Sequence, residues 1–356
     1  MNEAAPRDPQ LAEGSDPRDP VVAVVMPAYR VADQIGRVLD LCPPIVKRIF
    51  VVDDASPDQT GDTVLASRDP RVVLLRHSTN QGVGGSMATG FRSALEFGAD
   101  IVVKCDGDGQ MDPGDIPQLI RPIVEGRADF AKGCRFHHAS ELHTMPRIRF
   151  LGNIGLTFLT KLASGYWHVL DPQNGFLAFR AEILRRLPLH RLARGYFFEN
   201  DMLIRLNILQ ARAADVPLPS RYFDETSSLR PARVLFEFPF RLLAGFWRRV
   251  FWRYVFYDVS PAAMFLFFGT LLFAFGFFYG GYHWVVNAIR GMPTPTGTVI
   301  VAAVPFILGF QLLLEAVVLD IHNSPRPGPR SDLEAPLFDS RESGSAVSPD
   351  TQRGPS

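Results

Sequence analysis

The sequence has 356 residues, enough for one large domain or two modest ones, and its 37 basic and 37 acidic residues give zero formal net charge. Without net charge the chain has no global field that attracts nucleic acid, which argues against a nucleic-acid-binding protein. Its three cysteines are far apart and form no CxxC pair, which excludes a disulfide framework and is typical of a reducing compartment.

Both ends of the chain have the composition of disordered segments. Residues 1–19 are acidic and rich in proline, and they contain no apolar stretch, so they predict a disordered leader rather than a signal peptide. Residues 323–356 are rich in proline, serine, glycine and charge, and they predict a disordered tail.

From Val21 to Lys104, short apolar runs alternate with helical patterns. The runs are almost continuously apolar, which is typical of strands in a sheet that helices cover on both faces. This alternation predicts a doubly wound α/β fold. The strands are predicted at Val21–Pro27, Arg48–Asp54, Arg71–His77 and Asp100–Asp106, and the helices near Ala32–Leu41, Thr60–Ser67 and Ser86–Phe97.

Polar residues follow these predicted strands, notably at Asp53 and Asp54, at Asn80, and at Asp106 and Asp108. In an open α/β sheet, ligands bind beyond the carboxyl ends of the strands. The sequence therefore predicts a binding site at this edge of the sheet.

The segment KCDGDGQMDP places Asp106 and Asp108 two residues apart directly after a strand. Two such carboxylates can hold Mg²⁺ or Mn²⁺ together with a ribose hydroxyl, while substrate phosphates complete the metal shell. Such a metal would neutralise the charge that a nucleoside diphosphate gains as it leaves. Solvated turn aspartates are the alternative for this pattern alone. An EF-hand is excluded because no glutamate occupies the twelfth position of the loop.

Two neighbouring polar segments leave alternatives open. One carboxylate of the pair Asp53 and Asp54 can bind a nucleobase or ribose, and the other can cap the following turn. The glycine-rich stretch that begins at Asn80 either cradles a phosphate before a helix or forms a simple turn.

The next part of the chain predicts a mixed pattern of strands and helices. A strand is predicted near Asp129–Cys134, a long helix from about Arg149 to Ser164, and a loop that enters a strand over Asp171–Arg180. A helix with an acidic start, favourable for the helix dipole, is predicted over Tyr196–Leu209.

Two apolar runs, Pro261–Trp284 and Val299–Leu319, are long enough to cross a bilayer. Two buried core helices are the alternative. Arginines flank the outer ends of the runs, whereas the connecting loop holds only Arg290. This bias predicts a two-span membrane protein with both termini and the large domain in the cytoplasm. The flanking arginines are Arg241, Arg248, Arg249, Arg253, Arg326 and Arg330.

Aromatic residues and arginines interleave from Arg233 to Tyr257. This pattern predicts one or two amphipathic helices on the membrane surface, with aromatic rings in the interface and arginines at the head groups. A helix that packs against a partner is the alternative. Glu315 lies inside the second apolar run, where an ionisable group is a functional candidate unless it reaches the interface or an arginine.

The segments VVMPAYRVADQIGRVL, FVVDDASPDQT, HSTNQGVGGSMATGF and KCDGDGQMDP resemble the successive motifs of glycosyltransferase family 2. Further segments, KGCRF, MPRIRFLGN, DPQNGFLAFR, FFENDML and YFDETSSL, resemble the polyprenyl-phosphate glycosyltransferases, which are relatives of dolichol-phosphate mannose synthase. One departure is Arg30-Val31, where many relatives have Asn-Glu. The resemblance extends in order from about Val21 to Ile321.

This resemblance implies a GT-A type fold with a doubly wound mixed sheet. It implies a cytoplasmic glycosyltransferase domain over residues 20–230, amphipathic juxtamembrane helices over 231–258 and a two-helix transmembrane hairpin over 259–322.

The resemblance also implies roles for individual residues. The nucleotide-sugar pocket would contain Pro27, Ala28, Tyr29, Asp53, Asp106, Asp108, Gln110, Gln173 and Asn174, with Asp171 facing the sugar. Asp106 and Asp108 would hold Mg²⁺ or Mn²⁺, with Asp108 as the direct ligand. The acceptor phosphate would meet Arg135, Arg149 and Asn153, and Glu199 and Asp201 would close the site. The catalytic residues would be Asp108, Arg135, Arg149 and Asp201.

The resulting hypothesis is transfer of one sugar, with inversion, from a UDP- or GDP-linked donor to a polyprenyl phosphate in the membrane. A processive polysaccharide synthase is one alternative, although the sequence contains no Gln-x-x-Arg-Trp segment. A non-catalytic membrane scaffold is another, although the intact aspartate pair argues against it. The sugar, the nucleotide and any homo-oligomer stay open.

Overall fold

The computed structural model describes residues 19–135, 147–218, 231–257 and 259–328. Within these ranges, residues 147–153 and 231–236 are described by their backbone only. The leader, apart from residue 19, lies outside the described residues. So do residues 136–146 and most of the predicted tail.

The first half of the large domain alternates strands and helices, as predicted. Its four strands and three helices are confirmed, with ends shifted by a few residues. The elements are β1 (Val22–Ala28), α1 (Ala32–Asp40), β2 (Val46–Asp53), α2 (Thr60–Leu65), β3 (Val72–Arg76), α3 (Val83–Phe97) and β4 (Ile101–Lys104).

In the described residues, the second half of the large domain adds three strands and four helices. These elements are α4 (Ile116–Val124), β5 (Phe130–Cys134), α5 (Arg147–Ser164), β6 (Leu177–Arg180), α6 (Ala181–Arg186), α7 (Phe198–Ile208) and β7 (Ala213–Pro217). The strands and the long helices predicted here are confirmed.

The seven strands form one sheet in the order β3-β2-β1-β4-β6-β5-β7. Strand β6 is antiparallel to both β4 and β5, whereas the other pairs are parallel. The mixed, doubly wound sheet of the expected fold is therefore confirmed. Insertion of β6 also places Lys104 of β4 and Lys132 of β5 on either side of Leu177 in the strand register.

Helices cover both faces of the sheet, which explains the continuous apolar runs. Along β1, Val22 and Val24 pack with α1 and α4 in one buried cluster, whereas Ala23 and Val25 pack with α3 and α7 in another. All four side chains have no exposed surface. A strand buried on both faces has no solvent side on which polar residues could alternate.

Helix α8 (Pro231–Phe251) continues into a π-helical turn, Trp252–Phe256. Phe238 and Leu242 of α8 pack with Ile204 of α7 and Ala163 of α5 in a third buried cluster. One face of α8 therefore packs against the large domain. Other side chains of α8 and the turn are exposed, namely Phe240, Leu243, Trp247, Phe251, Trp252, Val255 and Phe256.

Helices α9 (Pro261–Ile289) and α10 (Thr296–His322) form an antiparallel hairpin. Both are long and apolar enough to cross a membrane, and only 17% and 11% of their most apolar windows are buried. This exposure disfavours two core helices of a soluble domain. Glu315 of α10 accepts a hydrogen bond from Gln311 at 3.2 Å.

The hairpin is fixed to the large domain by a buried ion pair. Asp320, in the last turn of α10, is 6% exposed and pairs with Arg249 of α8 at 2.6 Å. Tyr254 Oη at 2.6 Å and Trp167 Nε1 at 2.8 Å also donate to Asp320. The expectation of arginines at lipid head groups is wrong for Arg249 and Arg253, which are 0% and 5% exposed, because both bond to protein groups.

The chain after α10 returns along the large domain. The Pro325 carbonyl accepts from the backbone N–H of Ala213 at 3.3 Å, and the Gly328 N–H donates to the Arg127 carbonyl at 3.0 Å. The prediction of disorder from residue 323 is therefore wrong for residues 323–328, which these backbone contacts hold against β7 and the loop before β5.

Candidate functional site

The carboxyl ends of β1 and β2 form one side of the predicted pocket. Ala28 and Asp53 are paired in the strand register, and Tyr29, which follows β1, is 44% exposed. Asp53 accepts from the Ser56 N–H at 3.0 Å and lies 3.4 Å from Arg76 Nε. The structure thus brings together Ala28, Tyr29 and Asp53, with Pro27 next to them in β1.

Next to this pocket, the Asp54 carboxylate holds a loop in place. Its carboxylate accepts from the N–H groups of Gln81 at 2.8 Å and Gly82 at 2.7 Å, and it lies 2.7 Å from His77 Nδ1. Asp54 therefore anchors the glycine-rich loop after β3. The loop packs tightly, since a Cβ on Gly84 would lie 1.9 Å from the Ala193 carbonyl oxygen. This packing favours a structural turn over an open phosphate cradle.

The Asp-X-Asp segment begins two residues after the end of β4. Asp106 and Asp108 are both half-buried, and Gln110 is exposed. The Gln110 N–H donates to Asp108 Oδ1 at 3.0 Å across Gly109, whose φ is 79°. This turn therefore fixes Asp108 at a surface that a ligand can reach.

A buried lysine lies beneath Asp106. Lys104 has no exposed surface, and its Nζ donates to Asp106 Oδ1 at 2.6 Å and to the Gly175 carbonyl at 3.1 Å. Glu199 Oε1 lies 3.5 Å from the same nitrogen. Burial alone would lower the pKa of Lys104, but the Asp106 and Glu199 carboxylates outweigh it and raise the pKa. The ammonium therefore stays charged.

Gly175 gives the loop before β6 its close approach to this cluster. A Cβ there would lie 2.8 Å from Lys104 Nζ and 2.9 Å from Asp106 Oδ2. A side chain at this position would therefore displace the Lys104 ammonium or the Asp106 carboxylate. In the same loop, Gln173 Nε2 donates to Thr160 Oγ1 and Asn200 Oδ1, both at 3.3 Å.

Arg135 and Asp171, which sequence reasoning assigned to different substrates, form a direct pair. Arg135 Nε donates to Asp171 Oδ2 at 2.7 Å, and Arg135 Nη2 donates to Oδ1 at 3.2 Å. Asp171 is buried, whereas 35% of the Arg135 side chain is exposed. Asp171 thus orients the guanidinium, and the exposed part of Arg135 can still meet an anion.

A second buried lysine, Lys132 of β5, lies in the same layer. It donates to the Asn174 carbonyl, and the Asn174 side chain accepts from the Phe176 N–H at 2.9 Å. Burial lowers the pKa of Lys132 to about 8. Burial likewise raises the pKa of Asp215, its register neighbour on β7.

Sequence reasoning missed both lysines. Each is the only charged residue in an otherwise apolar strand segment, IVVK and FAKGC, and each is fully buried. A charge in such a segment was the available signal, because a buried lysine needs hydrogen-bond or charge partners.

The two acidic residues in the first turn of α7 point to different parts of the molecule. Glu199 reaches Lys104, whereas Asp201 bonds to Arg205 Nε at 2.8 Å, to the Ala193 N–H at 3.1 Å and to Arg248. Residues two apart on a helix lie about 200° apart around its axis. The described contacts connect Glu199, but not Asp201, with Asp106, and the catalytic role of Asp201 stays a prediction.

Two predicted acceptor residues, Arg149 and Asn153, lie on α5, whose first residues are described by their backbone only. Their spacing of four places them on the same side of the helix. Helix α5 packs against α7 and α8. The acceptor roles of Arg149 and Asn153 stay predictions.

Comparison with known proteins identifies a sequence family for this chain. Residues 23–188 match the sequence family glycosyl transferase family 2. A UDP-N-acetylglucosamine–dolichyl-phosphate N-acetylglucosaminyltransferase of Methanococcus voltae is 32% identical over 242 residues, which are 63% of this chain and 96% of that protein. An undecaprenyl-phosphate mannosyltransferase of Micrococcus luteus is 32% identical over 204 residues, which are 55% of this chain and 82% of that protein.

Among solved structures, the glucosyl-3-phosphoglycerate synthase of Mycobacterium tuberculosis in complex with uridine diphosphate is 27% identical, with a TM-score of 0.48. That match covers 65% of this chain and 80% of the other. The chain belongs to glycosyl transferase family 2. Its relatives include proteins named as sugar transferases that act on dolichyl or undecaprenyl phosphate.

Proposed function

We propose that the protein transfers one sugar from a nucleotide-sugar to a polyprenyl phosphate at the membrane. The observation that carries this proposal is the junction between Arg249 and Asp320, at 2.6 Å, which fixes the apolar hairpin to the domain that holds the Asp-X-Asp segment. An active site fixed to two candidate membrane spans suits an acceptor that is itself in the membrane. The named relatives support this acceptor class.

The donor side is formed by the strand ends. Pro27, Ala28, Tyr29 and Asp53 bind the nucleoside, and Asp106, Asp108 and Gln110 lie at the diphosphate and ribose. We assign Gln173 and Asn174, in the loop before β6, to the sugar of the donor. Loops at the carboxyl ends of strands are the usual ligand site of such sheets.

A divalent cation suits the donor set at Asp106 and Asp108. Within the described ranges, no group of three His, Cys, Asp or Glu side chains forms a ready metal site. Mg²⁺ and Mn²⁺ bind through one or two carboxylates and take further ligands from phosphates, and two half-buried carboxylates meet this need. When bound, the cation neutralises charge on the leaving nucleoside diphosphate.

The acceptor side is formed by Arg135, Arg149 and Asn153. A guanidinium that Asp171 already orients can position phosphate oxygens without losing much side-chain entropy. A phosphate monoester has its second pKa near 6 and is largely dianionic at neutral pH. Its oxygen can therefore attack the anomeric carbon without a strong general base, provided that it is held in line.

In the reaction, a bond forms between the acceptor phosphate oxygen and the anomeric carbon, and the bond from that carbon to the nucleoside diphosphate breaks. Attack opposite the leaving group inverts the anomeric centre. Asp201 contributes from its buried position by holding α7 against Arg248 of α8, so it acts through other residues.

The membrane arrangement follows from the same contacts. The start of α9 and the end of α10 both lie at the large domain, so both helix ends belong on one side of the bilayer. The loop between them holds only Arg290, which favours the cytoplasm for the large domain and both termini. The exposed aromatic side chains of α8, among them Trp247, lie in the interface.

The test uses the full-length purified protein, a panel of UDP- and GDP-sugars, a polyprenyl phosphate, and Mg²⁺ or Mn²⁺. We expect one sugar per lipid by mass spectrometry, and loss of this product in Asp108→Asn. A polymer as product would support the processive alternative, and donor loss with no lipid product would refute the acceptor assignment. Normal transfer by Asp108→Asn would refute the site assignment.

A further inference from the structure

A transverse row of residues crosses the sheet beside the loop 170–176, which leads into β6. Lys132 of β5 lies between Leu177 of β6 and Asp215 of β7 in the strand register, and Leu177 is also paired with Lys104 of β4. Register neighbours on adjacent strands project from the same face of the sheet. Three of the four members are ionisable, so the row presents charged groups to the loop.

Lys132 and Asp215 hold the loop at two separate points. The Leu170 N–H donates to Asp215 Oδ2 at 2.5 Å, and Lys132 Nζ donates to the Asn174 carbonyl. Gln173 lies between these two points in the chain. Two side chains of the sheet therefore fix both ends of the segment that carries the residues assigned to the donor sugar.

The burial of Lys132 makes its contact with the loop important. Lys132 has no exposed surface, and a buried ammonium needs acceptors that replace water. Burial lowers the pKa of Lys132 to about 8, while the carboxylates of Asp171, Glu199 and Asp215 act in the opposite direction. The side chain is therefore still mostly protonated at pH 7, and the Asn174 carbonyl is the acceptor that the loop supplies.

We propose that Lys132 is a positioning residue for sugar selectivity, which acts together with Asp215 by fixing the loop that carries Gln173 and Asn174. The inference deepens the proposed function and rests on a nucleotide-sugar donor. Lys132 acts through the loop rather than by contact with the donor. Strands β4 and β6 separate β5 from β1 and β2, whose ends form the proposed nucleoside pocket, so loss of Lys132 changes recognition of the sugar and not of the nucleotide.

The first test measures selectivity with the full-length protein at pH 7 and a polyprenyl phosphate as acceptor. We determine kcat/KM for UDP-glucose, UDP-galactose, UDP-N-acetylglucosamine, GDP-glucose and GDP-mannose. In Lys132→Met, we expect the ratio between the best donor and the next donor with the same nucleotide to fall at least about fivefold. The folded fraction cancels in this ratio, so a merely structural lysine would leave it unchanged. An unchanged ratio, or a wild-type ratio near one, overturns the proposal.

Nucleotide affinity and a matched variant control this result. Calorimetry with UDP and with GDP should show a change below about threefold in Lys132→Met. Lys161→Met removes another ammonium that faces Asp215, but this one donates to the Trp167 carbonyl at 3.1 Å, outside the loop. We expect its selectivity ratio to stay within about twofold of the wild-type ratio. An equal fall of the ratio in both lysine variants, or loss of nucleotide affinity as large as the loss of kcat/KM, overturns the proposal.

The second test follows the loop by hydrogen exchange and needs no turnover. The Phe176 N–H donates to Asn174 Oδ1 at 2.9 Å, so its protection reports on the loop. In Lys132→Met we expect this protection to fall about tenfold or more, while the amide of Val24 in β1 keeps its protection. Unchanged protection at Phe176 overturns the proposal. If Lys132→Met does not fold, Asp215→Ala releases the other point of the loop and should lower both the selectivity ratio and the protection of Leu170.

The two tests distinguish failure of the inference from failure of the proposed function. Wild-type protein that glycosylates no polyprenyl phosphate with any donor refutes the proposed function, and with it selectivity in that reaction. The exchange result then still decides whether Lys132 fixes the loop. Wild-type protein that makes the lipid product, with the same selectivity ratio in Lys132→Met, keeps the proposed function and refutes the role of Lys132.

Discussion

The substitution Asp320→Ala tests whether the apolar hairpin and the large domain form one rigid unit. The Asp320 carboxylate takes two hydrogen bonds from Arg249, at 2.6 and 3.0 Å, and one each from Tyr254 and Trp167. Arg249 has no exposed surface and also donates to the Ala163 carbonyl at 2.9 Å. Removal of the carboxylate leaves this guanidinium buried without its counter-charge.

The expected cost is about 3–5 kcal/mol, the range for breaking a buried ion pair by removal of one partner. The donors of Tyr254 and Trp167 lose an acceptor as well, and each buried unsatisfied donor costs about 1–3 kcal/mol. These two costs do not add in full, because the junction can open and admit water to the unpaired groups. The opening free energy of the junction is therefore expected to fall by at least about 3 kcal/mol, which is a factor of more than about a hundred in the opening equilibrium.

Hydrogen exchange measures this opening at defined amides. The Gly328 N–H bonds to the Arg127 carbonyl at 3.0 Å and the Ala213 N–H bonds to the Pro325 carbonyl at 3.3 Å, so both report on the chain after α10. In Asp320→Ala we expect protection of these amides to fall by about a hundredfold or more. Amides of β1, such as that of Val24, serve as internal controls that keep their protection.

A double variant tests whether the ion pair itself causes the loss of stability. Arg249→Met removes the charge that Asp320 was needed to balance, so the double variant of Arg249→Met and Asp320→Ala should lose less stability than the sum of the single variants. Unchanged protection at Gly328 in Asp320→Ala would refute the junction as the element that holds the hairpin. Strict additivity in the double variant would refute the ion pair as the source of the effect.

Three further outcomes follow from the site. Burial lowers the pKa of Lys132 to about 8, so above that pH the unfolded chain binds more protons than the folded chain. The free energy of unfolding, relative to that of Lys132→Met, should therefore rise by about 1.5 kcal/mol from pH 8 to 9.5. Parallel pH profiles of the two proteins in denaturant titrations would contradict this. Gly175→Ala should weaken UDP or GDP binding in calorimetry by about tenfold, since the added Cβ would lie 2.8 Å from Lys104 Nζ; wild-type affinity would show that the loop shifts freely. Arg135→Lys should lower lipid glycosylation about tenfold or more because an ammonium cannot make the two bonds to Asp171, and full activity would refute bidentate orientation.

The sheet could be predicted from sequence because its signal is local. In β1 every residue from Val22 to Val25 is buried on one face or the other, so the strand is apolar without interruption and visible in the sequence. The position of β6 between β4 and β5 could not be predicted in this way. It depends on pairing of Leu177 with Lys104 and Lys132, which lie tens of residues away and leave no periodic pattern.

The candidate site shows the same difference between local and long-range signals. Asp53 ends β2, and Asp106 and Asp108 lie in the loop after β4, so the rule for ligand sites in α/β sheets predicted their position at this edge of the sheet. A lysine at the end of an apolar strand, such as Lys104, resembles the start of a solvated loop, whereas Lys132 at the centre of β5 resembles a residue on a solvent-exposed face. Only the tertiary structure shows that both are fully buried.

The arginines of α8 show why charge near a membrane is ambiguous in a sequence. Arg248, Arg249 and Arg253 have the spacing and aromatic neighbours of head-group contacts, yet they bond to Asp201, Asp320 and Asn207. Helix α5 is part of this arrangement, because Arg249 donates to carbonyls in its last turn at 2.9 and 3.0 Å. One arginine therefore joins the end of α5 to the end of α10, so the same contacts that fix the hairpin also fix the helix that carries the predicted acceptor residues.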